Sequence, residues 1–503
     1  MPKSETFSAV DAAWLHMDKP TNMALITGVM MFDAPLDFER LKATYQHRLL
    51  PFFPRFQQRV REPRLGLGLP RWETDPDFDL DAHLHRVRLP RPGDEAALQK
   101  LAGELMSQPL DFERPLWQAY LVDGYRKGSA LIHCIHHCVA DGLALVQVLL
   151  SLADAQPDAP WPAPPDKALR RRRRSFLGRL FAGALQSMAR VRSTTGHMLH
   201  EGMEALLNPL RPAEQVALGA SYAIALSKVT LLSPDRKTLL KGPCGVTKRA
   251  TWSRPLPLDE VKAVGKALNG TVNDVLLAAA VGGLRRYLEA RNQPVRGLNL
   301  RALVPINLRP VQDLSQLGNR FGLALLTLPV GVKDPVGRIQ KMKAYMDEIK
   351  DTPEAVVAFS ILGGMGLTPA QIEDWLVRFF TSKASAVMTN VPGPRETLYF
   401  AGRPLRGIMF WVPQPGDLAL GVSILSYAGD VRVGVASDEG LIPDPEAIVA
   451  GFEAEFQAMQ RLIKPAAPRQ PARRKPAPAA RSKTPPGQAP GARPPSRRAR
   501  KPA

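Results

Sequence analysis

Three cysteines in 503 residues are too few for a disulfide framework, and two of them, Cys134 and Cys138, lie in one apolar run. That usage suits a reducing, cytoplasmic environment. No stretch reaches the roughly 18 uninterrupted apolar residues that a spanning helix needs. The uncharged segment from Gln215 to Ser227 is too short, so any membrane contact is expected to be peripheral. The polar opening Met1-Pro-Lys-Ser-Glu-Thr does not read as a secretory leader. From Lys464 to Ala503 there is no acid and no aromatic residue, but there are twelve Lys and Arg. Such a Pro/Ala/Arg tail buries too little apolar surface to fold. Without aromatic rings among its charges it also lacks the means to stack on bases, so no specific nucleic acid is expected.

The formal net charge is +20. Subtracting the twelve tail cations leaves +8 on the remaining 463 residues, so the folded part is only mildly basic. Apolar residues make up 45% of the chain, ample for large cores. The length favours two domains over one. Apolar periodicity alternates between strand and helix spacing, which indicates an α/β fold. Residues 1–154 form one expected half and 206–463 the other. The segment 155–205 between them begins with a Pro/Ala/Asp-rich linker and continues through Arg170–Arg174. It ends in a basic amphipathic pattern carrying Phe176, Leu177, Leu180, Phe181 and Leu185. Such a helix suits either a lipid headgroup layer or packing between domains. Residues 464–503 form the tail.

The densest chemistry lies in Ala130-Leu-Ile-His-Cys-Ile-His-His-Cys-Val-Ala-Asp-Gly142. The run reads as a strand that gives way to helical spacing after Gly142. Strand alternation puts His133 and His137 on one face and Cys134 and His136 on the other. At most one of His136 and His137 can then look into a given cavity. The same split argues against a zinc site built from these histidines and cysteines, and no matching ligand pair occurs elsewhere. A buried neutral imidazole can accept a proton from a hydroxyl or thiol. Asp141 suits a cap on the following helix, and could also pair with an arginine to set the loop that aims His137.

The pattern His136-His137-Cys-Val-Ala-Asp141-Gly142 resembles the active-site signature of the CoA-dependent acyltransferase superfamily, which includes chloramphenicol acetyltransferase and condensation domains. Further stretches resemble the bacterial wax ester synthase/acyl-CoA:diacylglycerol acyltransferase family more closely. They are Ser8-Ala-Val-Asp11, Arg114-Pro-Leu-Trp117, Thr271-Val-Asn-Asp274 and Asn390-Val-Pro-Gly-Pro394. Val304-Pro-Ile-Asn-Leu-Arg309, Gly318-Asn319 and Ser426-Tyr-Ala-Gly429 fit as well. The likeness spans about residues 4 to 463.

This resemblance implies two chloramphenicol-acetyltransferase-like domains with an active-site channel at their interface. It implies acyl-CoA as co-substrate, no cofactor, and diacylglycerol or a long-chain fatty alcohol as acceptor. His137 would be the general base, Asp141 its structural support, and Asn273 a donor to the oxyanion or the channel. His136, Gly142, Pro115, Leu116, Trp117, Asp274, Asn390 and Arg309 are expected around the substrate. Of these, Pro115, Leu116 and Trp117 should shape an apolar wall, His136 should pack behind the base, and Arg309 should face Asp141. The protein is expected in the cytoplasm, peripherally bound to the inner membrane or to lipid droplets. Two other functions fit the residues: a same-fold enzyme taking its acyl or polyketide group from a carrier protein, and a non-catalytic lipid-surface protein.

Overall fold

A computed structural model describes residues 4–63, 68–165, 227, 230–308, 317–350, 354–368 and 370–463. The basic segment around Arg170–Arg174, Arg309 and the tail lie outside the described residues. The N-terminal part runs β1 (Ser4–Thr6), α1 (Ala9–His16), β2 (Leu25–Phe32), α2 (Phe38–Thr44), β3 (Gln58–Arg61) and β4 (Arg71–Thr74). It continues with β5 (Leu84–Arg88), α3 (Glu95–Met106), β6 (Trp117–Tyr125), β7 (Gly128–His136) and α4 (Gly142–Ser151). The C-terminal part begins β8 (Lys248–Trp252), β9 (Leu256–Pro257), α5 (Leu258–Ala267), α6 (Val272–Glu289), β10 (Leu300–Asn307) and β11 (Phe321–Leu328). Next come α7 (Pro335–Lys350), α8 (Glu354–Met365), α9 (Ala370–Thr381) and β12 (Ala386–Pro392). The last elements are β13 (Tyr399–Phe400), β14 (Arg403–Trp411), β15 (Leu420–Tyr427), β16 (Asp430–Asp438) and α10 (Glu446–Ile463).

Local chemistry explains where the helices start. Side-chain oxygens of Ser8, Asp37, Asp94, Asp141 and Thr271 each accept from the backbone N–H three residues on, closing α1, α2, α3, α4 and α6. Helix α6 is apolar nearly all round because it is buried nearly all round, from Asp274 to Leu284. Its neighbour α10 is fastened to α7 by a buried ion pair, Arg338 to Glu455. Arg338 also donates to the carbonyls of Ala278 and Val332, both at 2.8 Å. A guanidinium buried in this way is tolerated because its donors are matched.

Two mixed sheets carry the fold. One has the order β11-β10-β12-β15-β16-β8, with β9 on β16, and the other β13-β14-β2-β7-β6-β5. The second sheet combines strands from residues 1–154 with a strand pair, β13–β14, from the C-terminal half. Strand β14 comes from the C-terminal half yet pairs antiparallel with β2, with Met409 opposite Val29 and Trp411 opposite Thr27. Its end, Gly407 to Trp411, is buried. The segment has no strand in the sequence reading because its start, Arg403-Pro-Leu-Arg-Gly407, carries turn and charge signals. Helix α9 is likewise absent there, between Gly-rich and Pro-containing stretches.

Candidate active site at the end of the histidine strand

Strand β7 stops at His136, and a tight turn carries His137, Cys138 and Val139 toward Asp141. The alternation that parts His136 from His137 thus ends one residue early, yet the two rings still diverge. His136 is fully buried. Its Nδ1 accepts from the Cys138 N–H at 3.2 Å, its ring meets Phe112 edge-on, and its Nε2 is 3.9 Å from Asp18 Oδ1. His133 shares a hydrogen bond with the Tyr45 hydroxyl. Thiols and imidazoles of this strand therefore point to different partners.

His137 is held through its backbone and its ring face. Its N–H donates to the Ala24 carbonyl at 2.7 Å, and its carbonyl accepts from Asn319 Nδ2 at 2.8 Å. The imidazole stacks on Trp14 with centroids 3.9 Å apart and planes 20° apart, and Phe321 lies 5.5 Å away. Burial pushes the imidazoles of His133, His136 and His137 down to about 3, so all three are neutral near pH 7.

Of these histidines, His137 borders a cavity of about 800 Å³, part of it open to solvent. Trp14, Asp141, Gly142 and Leu143 line it from the N-terminal part. Pro305, Asn307, Phe321, Thr389 and Asn390 come from the opposite sheet, and Phe410 and Val412 from β14 and the residues after it. An apolar arm of about 750 Å³ shares Trp14, Leu303, Leu323 and Pro415 with it and runs on between Ile361, Leu362, Met365, Val377 and Phe380.

Asp141 caps α4, its Oδ1 accepting from the Ala144 N–H at 2.9 Å. It also reaches across to the other half: its Oδ2 accepts from the Arg320 N–H at 3.3 Å, and its own N–H donates to the Gly318 carbonyl at 3.5 Å. Between those two anchors sits Asn319, to which the sequence reading gave no role. Its backbone N–H and its Nδ2 both donate to Asp11 Oδ1, at 3.1 and 2.8 Å. Among the described residues, its Oδ1 and His137 Nδ1 are both buried without a hydrogen-bond partner. The signal was present in the two quoted motifs, Ser8-Ala-Val-Asp11 and Gly318-Asn319. Only the fold reveals that they meet beneath His137.

The Asn273 and Asn390 motifs are joined by a hydrogen bond from Asn390 Nδ2 to Asn273 Oδ1 at 2.6 Å. Asn390 lines the cavity, with Asn273 attached behind it. Asp274 belongs elsewhere. It is 2% exposed, and its carboxylate accepts from the Thr271 N–H at 2.8 Å in a reciprocal capping box. Capping α6, rather than contact with substrate, explains its place, and Thr271 rather than Asn273 is the N-cap.

Pro115, Leu116 and Trp117 also lie away from the cavity wall. They are buried in the core beside β7, where Trp117 Nε1 donates to the Phe56 carbonyl at 2.9 Å and its ring stacks on His83. Leu116 serves through its carbonyl, which accepts the His136 N–H at 3.0 Å and ends the histidine strand. Gly142 does border the cavity; a Cβ there would come within 3.3 Å of Val412 Cγ1. Gly393 of the Asn-Val-Pro-Gly-Pro turn lies so close to β15 that a Cβ would be 2.3 Å from the Ser426 carbonyl. Gly393→Ala is expected to lower stability by about 2–4 kcal/mol, measured by urea unfolding.

The arrangement is that of a two-lobed α/β transferase fold with one neutral histidine at a cavity between mixed sheets. Among solved structures it is similar to the starter condensation domain of rhizomide synthetase, with a TM-score of 0.56 at 13% identity over 92% of this chain and 94% of that one. It is also similar to the wax ester synthase/diacylglycerol acyltransferase from Marinobacter aquaeolei VT8, with a TM-score of 0.65 at 22% identity over 91% of this chain and 100% of that one. Residues 7–276 match the wax ester synthase/diacylglycerol acyltransferase catalytic domain, and residues 317–460 match the C-terminal domain of the same family. A probable diacylglycerol O-acyltransferase of Mycobacterium tuberculosis is 30% identical over 91% of this chain and 95% of its own. The chain belongs to the wax ester synthase/diacylglycerol acyltransferase family, and it is an acyltransferase.

Proposed function

We propose that the protein esterifies diacylglycerol, a long-chain fatty alcohol, or both, from acyl-CoA, with His137 as the general base. The observation that carries this reading is the position of His137: a neutral imidazole bordering a cavity whose second arm, about 750 Å³, is lined by apolar side chains suited to an aliphatic chain. The acceptor oxygen attacks the thioester carbonyl while its proton passes to His137. The C–S bond then breaks, the imidazolium returns the proton to the departing thiolate, and ester and free CoA result. No covalent enzyme intermediate is required. A desolvated imidazolium is costly, which favours rapid return of the proton. Amide donors at Asn390 and Asn273 suit the thioester oxygen or the CoA arm at the cavity mouth, where each well-aimed donor contributes about 3–4 kcal/mol to an oxyanion. Asp141 holds the turn that aims His137. The acceptors are lipids, so the enzyme works peripherally at the inner membrane or the lipid-droplet surface.

The test is esterification of labelled palmitoyl-CoA with diacylglycerol and with hexadecanol by purified protein. Ester formation with free acyl-CoA is expected; no ester with either acceptor would overturn the reading. Asn319 positions rather than reacts. Asn319→Ala is expected to lower kcat about 10–100-fold. KM for acyl-CoA should stay within about twofold in the same steady-state assay.

A further inference from the structure

Large apolar side chains are exposed at scattered points, but three of them cluster on the hairpin of α8 and α9. Leu367 in its turn is 69% exposed, Ile372 is 50% exposed and Trp375 is 62% exposed. The inner faces of the two helices already do a definite job, since Ile361, Leu362, Val377 and Phe380 line the apolar arm of the cavity. The outer face of such a hairpin is ordinarily polar. Here Ile372, Trp375 and Phe379 recur at helical spacing as a second apolar stripe, while Leu376 packs on the core.

The acids of α9 do not interrupt that stripe. Glu373 is buried against His16 at 3.2 Å, and Asp374 pairs with Lys19 at 2.6 Å. A cation flanks it instead: Arg378 is exposed, while Lys383, whose Nζ lies 4.4 Å from the Phe379 ring, is buried and donates to the Leu232 carbonyl. The stripe is continuous with the cavity. Trp375 stacks on Phe379 with centroids 5.5 Å apart, and Phe379 meets the cavity-lining Phe380 edge-on at 5.2 Å. Aromatic rings therefore run from the surface to the apolar arm.

We propose that the α8–α9 hairpin is the lipid-docking face of the enzyme. Leu367, Ile372 and Trp375 enter the boundary between headgroups and acyl chains of an anionic phospholipid surface. The acceptor reaches His137 along the Trp375–Phe379–Phe380 line. Indole rings favour that boundary, and the exposed Arg378 favours anionic headgroups. The inference rests on the acceptor being a membrane-borne lipid.

The experiment is flotation of the full chain with phosphatidylcholine/phosphatidylglycerol vesicles in high salt, where ionic attraction from basic segments is screened. The variant Leu367→Ser/Ile372→Ser/Trp375→Ser is expected to bind vesicles about tenfold or more weakly than wild type. It should lose esterification of vesicle-borne diacylglycerol in proportion, yet keep wild-type turnover of a short, water-soluble alcohol. That last activity also verifies that the variant is folded. Restoring apolar side chains as Ile372→Leu/Trp375→Phe should recover binding. His137→Ala should bind vesicles like wild type, so failure of the catalytic reading leaves the docking readout intact. Equal flotation of wild type and the triple variant would overturn the proposal. So would a triple variant that turns a wild-type dimer into a monomer with unchanged vesicle binding, since the stripe would then serve self-association.

Discussion

His137→Ala is expected to lower the rate of ester formation by about 10²–10⁴-fold, the range a positioned general base contributes. Acyl-CoA binding should persist, because the side chain removed borders the cavity without closing it. Stopped assays with labelled acyl-CoA, together with a direct binding titration, check both parts; wild-type turnover would sink the assignment. The neutral imidazole also fixes the expected pH behaviour. Burial lowers its pKa from the ordinary 6.5 to about 3. The basic form of His137 therefore persists through the mildly acidic range, and kcat should show no acid limb near pH 6.5. His136→Gln should behave differently. That ring is packed away from the cavity, so its loss should register in stability more than in chemistry.

Acid should unfold the protein steeply, for a reason that lies in the same strand. His133, His136 and His137 are each held at about 3 in the folded state, while in the unfolded chain they titrate near 6.5. Below pH 6.5 the unfolded chain takes up protons that the folded chain refuses, so stability falls as pH falls toward 3. Each histidine contributes a slope of up to about 1.4 kcal/mol per pH unit, and three together about 4. Asp11, Asp18 and Glu373, whose carboxyls burial pushes up, act in the opposite sense over part of that window, as does His16 with its raised pKa. Urea unfolding at a series of pH values measures the net slope. His136→Gln should flatten it by about one histidine's share; an unchanged slope would show that His136 is not held neutral.

Much of the site was legible because its signals are local. Ser8 and Asp141 announce their helices through the side-chain cap itself, and Asp141 needs no more than its place before Gly142. Strand alternation separated His136 from His137 even though the strand stops one residue short. What was not legible depends on long-range pairing. Trp117 has the character of a pocket wall, and only the register of β6 on β7 places it opposite Ile135, in the core beside the strand. Asn319 looks like any loop asparagine until Asp11 arrives beneath it from 308 positions away. Asp274 is adjacent to Asn273, yet their side chains part, one to the cap and one to the cavity-lining Asn390.

The placement of β14 bears on how the enzyme comes into being. Until residues 403–411 have been synthesised, β2 has no partner on one edge, and the wall supplied by Phe410 and Val412 does not exist. An open strand edge of this kind invites pairing with other chains. The N-terminal half, though it holds His137, is thus an unfinished sheet while the ribosome is still at work. Catalytic competence arrives only after four-fifths of the chain has emerged, so neither half is an enzyme that the other merely regulates.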